Sequence, residues 1–313
     1  MIIVEVPAVV PPSPDDGEQP RPYIEPRLGL GVLLTGGDGS TWDLYGGGPV
    51  RLQSGARLGV ADPEHWRRTA PAIDGSFYQG MRTPASRPFY PVRITTDTSQ
   101  EWIDTYRAFM SAIDGSRECQ VTVVAPSGSA RTLTVRYEEG MDNETDVDPV
   151  RMRHAVYPLA WQADDPYWHT TPIAKRYEVR EALPLFAPPS QNPPAVFNFG
   201  SGEAISEGLV TNPGDVLAWP KWTITGPFSS ATVGVGDATL VFGTPIAAGQ
   251  KRVVDTSPFR RNRLPEEQWL EITDANFAAI PPGEDVALTM NLSGPAVGAT
   301  IELEFTPSYR RFL

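Results

Sequence analysis

The stretch that decides the fold lies at residues 98–140 and reads TSQEWIDTYRAFMSAIDGSRECQVTVVAPSGSARTLTVRYEEG. Apolar residues recur in its first part at steps of four, three and four, at Trp102, Tyr106, Phe109 and Ile113, with Ile103 and Met110 beside them. This spacing predicts a helix over about residues 99–113 whose aromatic face is core. Thr98 and Glu101 form a capping-box pattern at its start, and Gly115 is a stop signal after its end.

The second part of the same stretch alternates with a period of two. Leu133, Val135 and Tyr137 fall on one side of a strand, and Thr132, Thr134 and Arg136 on the other. Together with the preceding run ECQVTVV this predicts an antiparallel hairpin with one solvated face. Upstream, LGLGVLL, TGGDGS and TWDLYGGGPVRL are strand-length runs separated by glycine clusters, which also predict hairpins. We therefore expect an N-terminal β domain, a β-sandwich or split barrel, with one helix lying on its sheet.

The second half is a regular series of short β runs. Each run is bounded by Gly, Pro, Asn or Asp, and Val233 and Val235 are separated from Leu240 and Phe242 by a tight turn. This pattern predicts an antiparallel β-sandwich. Thirty-three prolines, about twice the usual share of roughly 5%, also favour strands and loops over helices. The predicted organisation is a proline-rich arm at 1–26, a β domain at 27–180, a proline-rich linker at 181–195 and the sandwich at 196–313.

The first residues contain one β-prone run, IIVEV, ahead of an arm with seven prolines between residues 7 and 26. The arm predicts an extended, polyproline-like segment. A strand tethered in this way pairs either within its own domain or with the sheet edge of a neighbouring subunit. The sequence leaves both alternatives open.

Composition excludes several classes of protein. The net charge of −12 argues against a surface that grips phosphates. No apolar run approaches the roughly 20 residues that span a bilayer, so we expect no membrane insertion. The first twenty residues have no basic leader, which predicts a protein kept in the cytosol or released by lysis. The single cysteine, Cys119, lies in a strand-like run and is expected to be a small buried side chain.

We expect no catalytic, cofactor-binding or metal-binding residues. The histidines, His65, His154 and His169, lack any paired ligand spacing. The alternating acids Asp142, Glu144, Asp146 and Asp148 resemble the start of a calcium loop, but Val147 and Arg153 occupy the positions that need glycine and a bidentate acid. A solvated hairpin tip explains these acids better.

Two further segments contain charged residues of the kind that can form a site. Asp164 and Asp165 are adjacent in an extended segment and so point to opposite faces, which argues against a paired-carboxylate glycosidase. We expect a turn there, with Tyr167 and Trp168 as packing anchors. Arg260, Arg261 and Arg263 are either a grip for an acidic partner or a solvated loop. No GxSxG elbow and no phosphate-binding loop is present in the sequence.

The order of several short segments resembles the distal tail proteins and related minor tail proteins of siphophages, particularly of the actinobacteriophage type. These segments are GSFYQGMRTPASRPFYPVRI, the Trp102 helix, VTVVAPSGSARTLTVRYEEG and LAWQADDPYW in the first half, and NPGDVLAWPKWTITGP, IAAGQKRVVDT and FAAIPPGED in the second. Together they span most of residues 27–313.

This resemblance implies a fold and an assembly. The expected fold is a ring-forming N-terminal β domain with a helix and a galectin-like C-terminal sandwich. The expected protein is a non-catalytic part of the virion tail tip, assembled in the host cytoplasm. Six copies would form a ring that joins the tail tube protein and tape measure protein to the hub and baseplate proteins. DNA would pass through the lumen without specific binding, and an acidic inner wall would keep it from sticking.

Two alternatives remain beside this interpretation. One is a carbohydrate-binding, host-wall-binding or wall-degrading tail-tip module, which needs an exposed aromatic platform at Trp219, Trp222 or Trp269. The galectin sugar-contacting pattern is not matched, because His169 is the last histidine of the chain. The other is a hub-like tail protein with a different symmetry.

Overall fold

The computed structural model describes residues 2–6, 29–60, 62–71, 73–142, 147–180, 208–258, 272–295 and 297–313. They form two compact units. We call Gln19–Thr170 together with Tyr309–Leu313 the first unit, and Met1–Glu18 together with Thr171–Ser308 the second unit. The chain therefore passes from one unit to the other three times.

Antiparallel strands dominate the first unit. Its elements are β2 (Gly31–Thr35), β3 (Thr41–Asp43), β4 (Val50–Leu52), β5 (Glu64–Ala70), β6 (Ile73–Arg82), β7 (Phe89–Thr95), α1 (Ser99–Ala112), β8 (Cys119–Val124), β9 (Ala130–Glu139), α2 (Pro149–Met152), β10 (His154–Gln162) and β11 (Trp168–His169). The strands of the main sheet follow the order β3-β2-β8-β9-β10-β7-β4, and β11 pairs with β9. Strands β5 and β6 form a separate two-stranded sheet.

The main sheet curls until its two ends meet. Leu44, in the segment between β3 and β4, donates its backbone N–H to Val32 O at 2.8 Å and accepts one from Leu52 N at 2.8 Å. Its side chain is buried in the core that the sheet encloses. The first unit is thus an almost closed barrel, which accords with the predicted split barrel.

Helix α1 lies on this sheet as the aromatic spacing predicts. Trp102, Phe109 and Ile113 are buried, the Phe109 ring meets Trp42 of β3 edge-on at 5.3 Å, and Tyr106 contacts Tyr157 of β10 at 5.6 Å. Each large side chain buried in this way contributes about 1.5–3 kcal/mol. The helix is therefore held by its apolar face.

The ends of α1 differ in detail from the predicted signals. Thr98 Oγ1 accepts the N–H of Glu101 at 3.2 Å, as expected of the cap. The Glu101 carboxylate returns to the N–H of Asp97 rather than of Thr98. Gly115 is not left-handed; instead Asp114 accepts the N–H of Ser116 at 3.0 Å and turns the chain. A side-chain turn therefore replaces the predicted glycine stop.

The second unit is a sandwich of two five-stranded antiparallel sheets. Its elements are β1 (Ile2–Val6), β12 (Ile173–Arg180), β13 (Gly208–Thr211), β14 (Lys221–Thr225), β15 (Ser230–Val235), β16 (Ala238–Phe242), β17 (Lys251–Asp255), β18 (Ile272–Ala275), β19 (Asp285–Ser293) and β20 (Thr300–Phe305). One sheet has the order β1-β12-β20-β14-β17 and the other β13-β19-β15-β16-β18. Their apolar inner faces share one core, so the predicted antiparallel β-sandwich is confirmed.

The boundaries of the two units differ from the domain boundaries that the sequence predicts, and the difference lies at the N-terminal strand and at β12. Strand β1 pairs with β12 of its own chain, from Ile2 opposite Arg180 to Val6 opposite Arg176, which selects one of the two alternatives for IIVEV. Strand β12 also pairs with β20 and so belongs to the second unit. The second unit therefore begins before residue 180, where the sequence predicts the end of the first domain. Long-range pairing of this kind leaves no local mark in composition. The arm beyond residue 6 and the linker at 181–195 lie outside the described residues.

A buried asparagine holds two turns of the second unit together. Asn212 is fully buried; its amide donates to Val216 O at 2.8 Å and Ile280 O at 3.1 Å, and its side-chain oxygen accepts Gly214 N–H at 2.9 Å. The NPG turn and the segment before the PPGE turn are thereby joined. Two motifs that are distant in sequence form a single hydrogen-bonded corner.

The C-terminal residues return to the first unit. The last strand, β21 (Ser308–Tyr309), pairs with β11. The Phe312 ring meets the buried Trp168 ring at 6.0 Å. Arg131 of β9 donates to Arg311 O at 2.8 Å. The first unit therefore needs the end of the chain to complete its packing.

Candidate assembly surface

The β5–β6 hairpin is the most unusual surface of the first unit. It runs from Glu64 opposite Arg82 to Ala70 opposite Ile73, with two irregularities in register. Within the described ranges its strands pair only with each other. A ten-residue strand such as β6 reaches about 33 Å at roughly 3.3 Å per residue. The hairpin is therefore a long ribbon, and no strand of the described residues pairs with either of its outer backbone edges.

Four large apolar side chains of this hairpin lie in solvent. The exposed fractions are 53% for Trp66, 56% for Phe77, 59% for Tyr78 and 49% for Met81. Exposed aromatic residues concentrated on one projecting element mark a contact surface, because aromatic groups are enriched where proteins bind. A two-stranded ribbon also has too little core to be stable by itself.

The hairpin carries three arginines, Arg67, Arg68 and Arg82, and two acids, Glu64 and Asp74, in a chain that is acidic as a whole. Arg82 Nε lies 2.8 Å from a Glu64 carboxylate oxygen, and its guanidinium lies 6.0 Å from the centre of the Trp66 ring. The His65 ring contacts Tyr78 at 5.8 Å. Arg67 and Arg68 are exposed and make no ion pair with any described residue. Two arginines are thus available to an acidic partner.

A groove of about 450 Å³ lies between the end of α1 and the end of β9. Half-buried Met110, Tyr137 and Met141 line it together with the exposed acids Asp114 and Glu138. Tyr137 fixes its shape, since the phenol oxygen accepts Met141 N–H at 2.8 Å. Hydrogen bonds from the Ser116 N–H and hydroxyl hold the pKa of the Asp114 carboxyl below its ordinary value. The groove is therefore apolar at its floor and anionic at its rim.

A second recess, of about 400 Å³, lies where β4 and β7 meet the start of α1. Arg51 and Arg93 are direct neighbours on these strands, and Arg51 donates to Gly47 O and Gly48 O at 3.0 Å. Asp97 and Glu101 also line the recess. With two cations and two anions the lining of the recess has no net formal charge.

The acidic loop shows no metal arrangement in its described part. Glu144 and Asp146 lie outside the described residues. Asp142 is exposed, and Asp148 instead caps α2 by accepting Val150 N–H at 2.9 Å. No group of three potential metal ligands occurs elsewhere in the residues that the structure describes.

The two aspartates of the DDPYW segment have different surroundings. Both are exposed, but Asp165 accepts Tyr167 N–H at 3.1 Å and lies 3.0 Å from His169 Nε2. Burial acts to raise the pKa of the Asp165 carboxyl, but the His169 hydrogen bond and charge and the Tyr167 N–H together hold it below its ordinary value. Asp165 thus stabilises the predicted turn, and Trp168 is the predicted buried anchor.

Cys119 and His154, the remaining ionisable candidates, make contacts within the fold. Cys119 is buried, as expected; burial raises the pKa of its thiol, and the sulfur donates weakly to Ala112 O at 3.7 Å. His154 Nδ1 lies 3.0 Å from Thr95 Oγ1. A thiol with a raised pKa is a poor nucleophile because little of it is thiolate.

The tryptophans named for a sugar site do not form an exposed platform in the described part of the second unit. Trp222 is 1% exposed and belongs to the core. Trp219 is half-buried. Trp269 and the loop arginines Arg260, Arg261 and Arg263 lie outside the described residues. The surroundings of Trp219 and Trp222 therefore favour packing over sugar stacking.

The hairpin and the groove are the surfaces that sequence reasoning missed. The run EHWRRTA places Glu64 and Arg68 on the same face as Trp66, and its other face is polar, so neither face is recognisable as core-facing. The groove combines residues of α1 and β9 that are about 25 positions apart. Only the packing of helix on sheet brings them together.

A solved structure with the same fold comes from a phage. The structure of Dit from phage SPP1, described as a paradigm of the hub adsorption apparatus in phages that infect Gram-positive bacteria, matches with a TM-score of 0.52 and 14% identity. The match covers 89% of this chain and 98% of that protein. The chain has the fold of a phage Dit protein.

Two structures of the phage P2 baseplate in its activated conformation are also similar. The one with Ca matches with a TM-score of 0.49 and 10% identity over 89% of this chain and 98% of the other. The one with Sr gives 0.47 and 10% over 88% and 97%. No protein-family model matches the sequence, and no curated protein does. Neither helix in the described ranges has the length and hydrophobicity to cross a membrane.

Proposed function

We propose that this chain is a non-catalytic structural subunit of the tail tip of a long-tailed phage, a distal tail protein. Copies of the chain form a homo-oligomeric ring, with six as the expected number. The ring joins the tail tube to the hub and the receptor-binding parts, and the genome passes through its bore. Its neighbours in this scheme are the tail tube protein, the tape measure protein and the hub or baseplate proteins.

The observation that carries this proposal is the shared fold with SPP1 Dit, which extends over almost the whole of that protein. A likeness of a single domain would say little, because common β folds serve many functions. Here the match covers 89% of the chain, so it includes most of the barrel and most of the sandwich that follows. The order of the sequence segments quoted above points to the same family independently.

Two features of the described residues support a structural role. The hairpin exposes aromatic and basic side chains without a partner of its own, which is typical of a subunit that binds others. The carboxylate considered for catalysis, Asp165, is committed to a turn. The net charge of −12 also fits a bore along which DNA slides, because like charges repel. A positive potential along the bore of the assembled ring would contradict that last point.

The purified chain provides the test. Mass photometry over a range of concentrations should show assembly into one discrete species of about six copies. Negative-stain images of that species should show a ring with a central opening. A glycan array should remain blank. Strong, selective glycan binding by a chain that stays monomeric would instead support the carbohydrate-binding alternative.

A further inference from the structure

The hairpin of the first unit carries more apolar surface than a free ribbon tolerates. Trp66, Phe77, Tyr78 and Met81 are each about half exposed. Trp66 pairs with Gly80 across the two strands, and the neighbouring residue His65 pairs with Met81. Since successive residues of a strand point to opposite faces, both faces of the ribbon carry apolar side chains. Phe77 and Tyr78 lie in the middle of the ribbon, opposite Arg68 and Arg67, so a partner of the hairpin needs a receptacle for an aromatic ring with an anion beside it.

The groove between α1 and β9 offers such a receptacle in the same chain. Its volume of about 450 Å³ is within the roughly 300–1,000 Å³ that pockets for bulky groups provide. Methionine side chains adapt to aromatic rings and interact well with them through sulfur, and Met110 and Met141 are both in its lining. The floor is thus suited to an aromatic residue such as Phe77 or Tyr78.

The charges of the two surfaces are complementary. The hairpin presents Arg67 and Arg68, and the groove presents Asp114 and Glu138. The positive charge of Arg117 helps to lower the pKa of Asp114, but Arg117 is not part of the groove lining. Opposite charges around an apolar centre favour association and fix its register.

We propose that the β5–β6 hairpin of one copy inserts into the α1–β9 groove of the next copy. The hairpin does not fill the groove of its own chain, because its large side chains are exposed. A contact between two different patches is heterologous, and repeated around a rotation axis it closes into a ring. This inference rests on the ring-forming function proposed above and names the surface that forms the ring.

A charge-swap experiment tests the pairing directly. One variant combines Arg67→Glu with Arg68→Glu, and a second combines Asp114→Lys with Glu138→Lys. Each alone should raise the concentration at which half of the chain is assembled by at least about tenfold, as expected for close opposite charges turned into like charges. A chain carrying all four substitutions should regain most of the wild-type assembly, because the charges are opposite again.

A matched control and a direct probe make the result specific. Arg151→Glu with Lys251→Glu makes the same charge change at exposed positions outside both surfaces and should assemble like the wild type. A photo-crosslinking residue at position 77 should attach to the segments around Met110 or Met141 of another copy, as identified by peptide mass spectrometry. Circular dichroism should show unchanged folding in all variants.

The possible outcomes separate this inference from the proposed function. If the hairpin and groove variants form rings at the wild-type concentration, the docking is overturned while ring formation stands. If both double variants weaken assembly but the variant with all four substitutions does not regain it, the two surfaces do not contact each other and the docking is again overturned. A crosslink within one chain has the same consequence. If the wild-type chain forms no ring at all, the proposed function itself fails.

Discussion

The guanidinium of Arg131 lies 3.7 Å from the centre of the Tyr309 ring, although 178 positions separate the two residues. The same arginine donates to Arg311 O, so it holds the returning C-terminal segment at two points. Both residues belong to the first unit. The end of the chain is therefore part of the barrel's fold and not a trailing tail.

We expect Arg131→Ala to lower the free energy of unfolding of the first unit by about 1 kcal/mol, the usual size of a cation–π contact. Arg107→Ala removes an exposed arginine from α1 and should change the stability by less than about 0.5 kcal/mol. Urea denaturation followed by tryptophan fluorescence measures both. Equal effects of the two substitutions would contradict the anchoring role of Arg131.

Asn212→Asp should destabilise the second unit strongly. Asn212 donates to two carbonyl oxygens in a fully buried corner, and a carboxylate cannot donate to either. The expected loss is about 3 kcal/mol, because buried groups left without partners each cost roughly 1–3 kcal/mol. The same substitution at the exposed Asn291 of β19 should be close to neutral. Thermal unfolding of the two variants provides the comparison.

Asp165→Asn should have an effect that depends on pH. The folded-state pKa of Asp165 lies below its ordinary value, so the carboxylate stabilises the fold above that ordinary value and loses this contribution as the pH falls through the folded-state pKa. The half-exposed position limits the loss at pH 7 to about 1 kcal/mol or less.

The difference between wild type and Asp165→Asn should therefore shrink between pH 7 and pH 3 in urea denaturation. The adjacent exposed Asp164→Asn serves as the control and should show little change at either pH. A difference for Asp165→Asn that grows on acidification would contradict the assigned contacts.

Trp222→Ala distinguishes a core tryptophan from a sugar platform. Because Trp222 is buried in the sandwich, we expect a loss of about 3–5 kcal/mol in the free energy of unfolding. Leu217→Ala, at a position that is 53% exposed in the same unit, should cost far less. A folded Trp222→Ala chain of normal stability that has lost glycan binding would support the lectin alternative.

The sequence predicts those parts of the fold whose signal is local. The aromatic spacing from Trp102 to Ile113 predicts α1 to within one residue, and the alternation at Leu133 and Val135 predicts a strand with one buried face. These patterns are reliable because a helix or strand displays its buried face with a fixed period.

Long-range features are not visible in the same way. The pairing of β12 with β20, the return of Tyr309 to β9 and the closure of the barrel at Leu44 each join residues that are far apart in the chain or lack a periodic pattern. The hairpin and the groove are also difficult to predict from the sequence. The hairpin residues have no buried side to reveal them, and the groove exists only after α1 has settled on the sheet.

The most direct test of a structural role in the tail tip is a cryo-electron-microscopy reconstruction of the virion that contains this chain. We expect density for this chain at the end of the tail tube, as a closed ring of several copies with each hairpin against the groove of its neighbour. A tail tip in which the chain is absent, or is present only as single copies without contact to one another, would contradict the account.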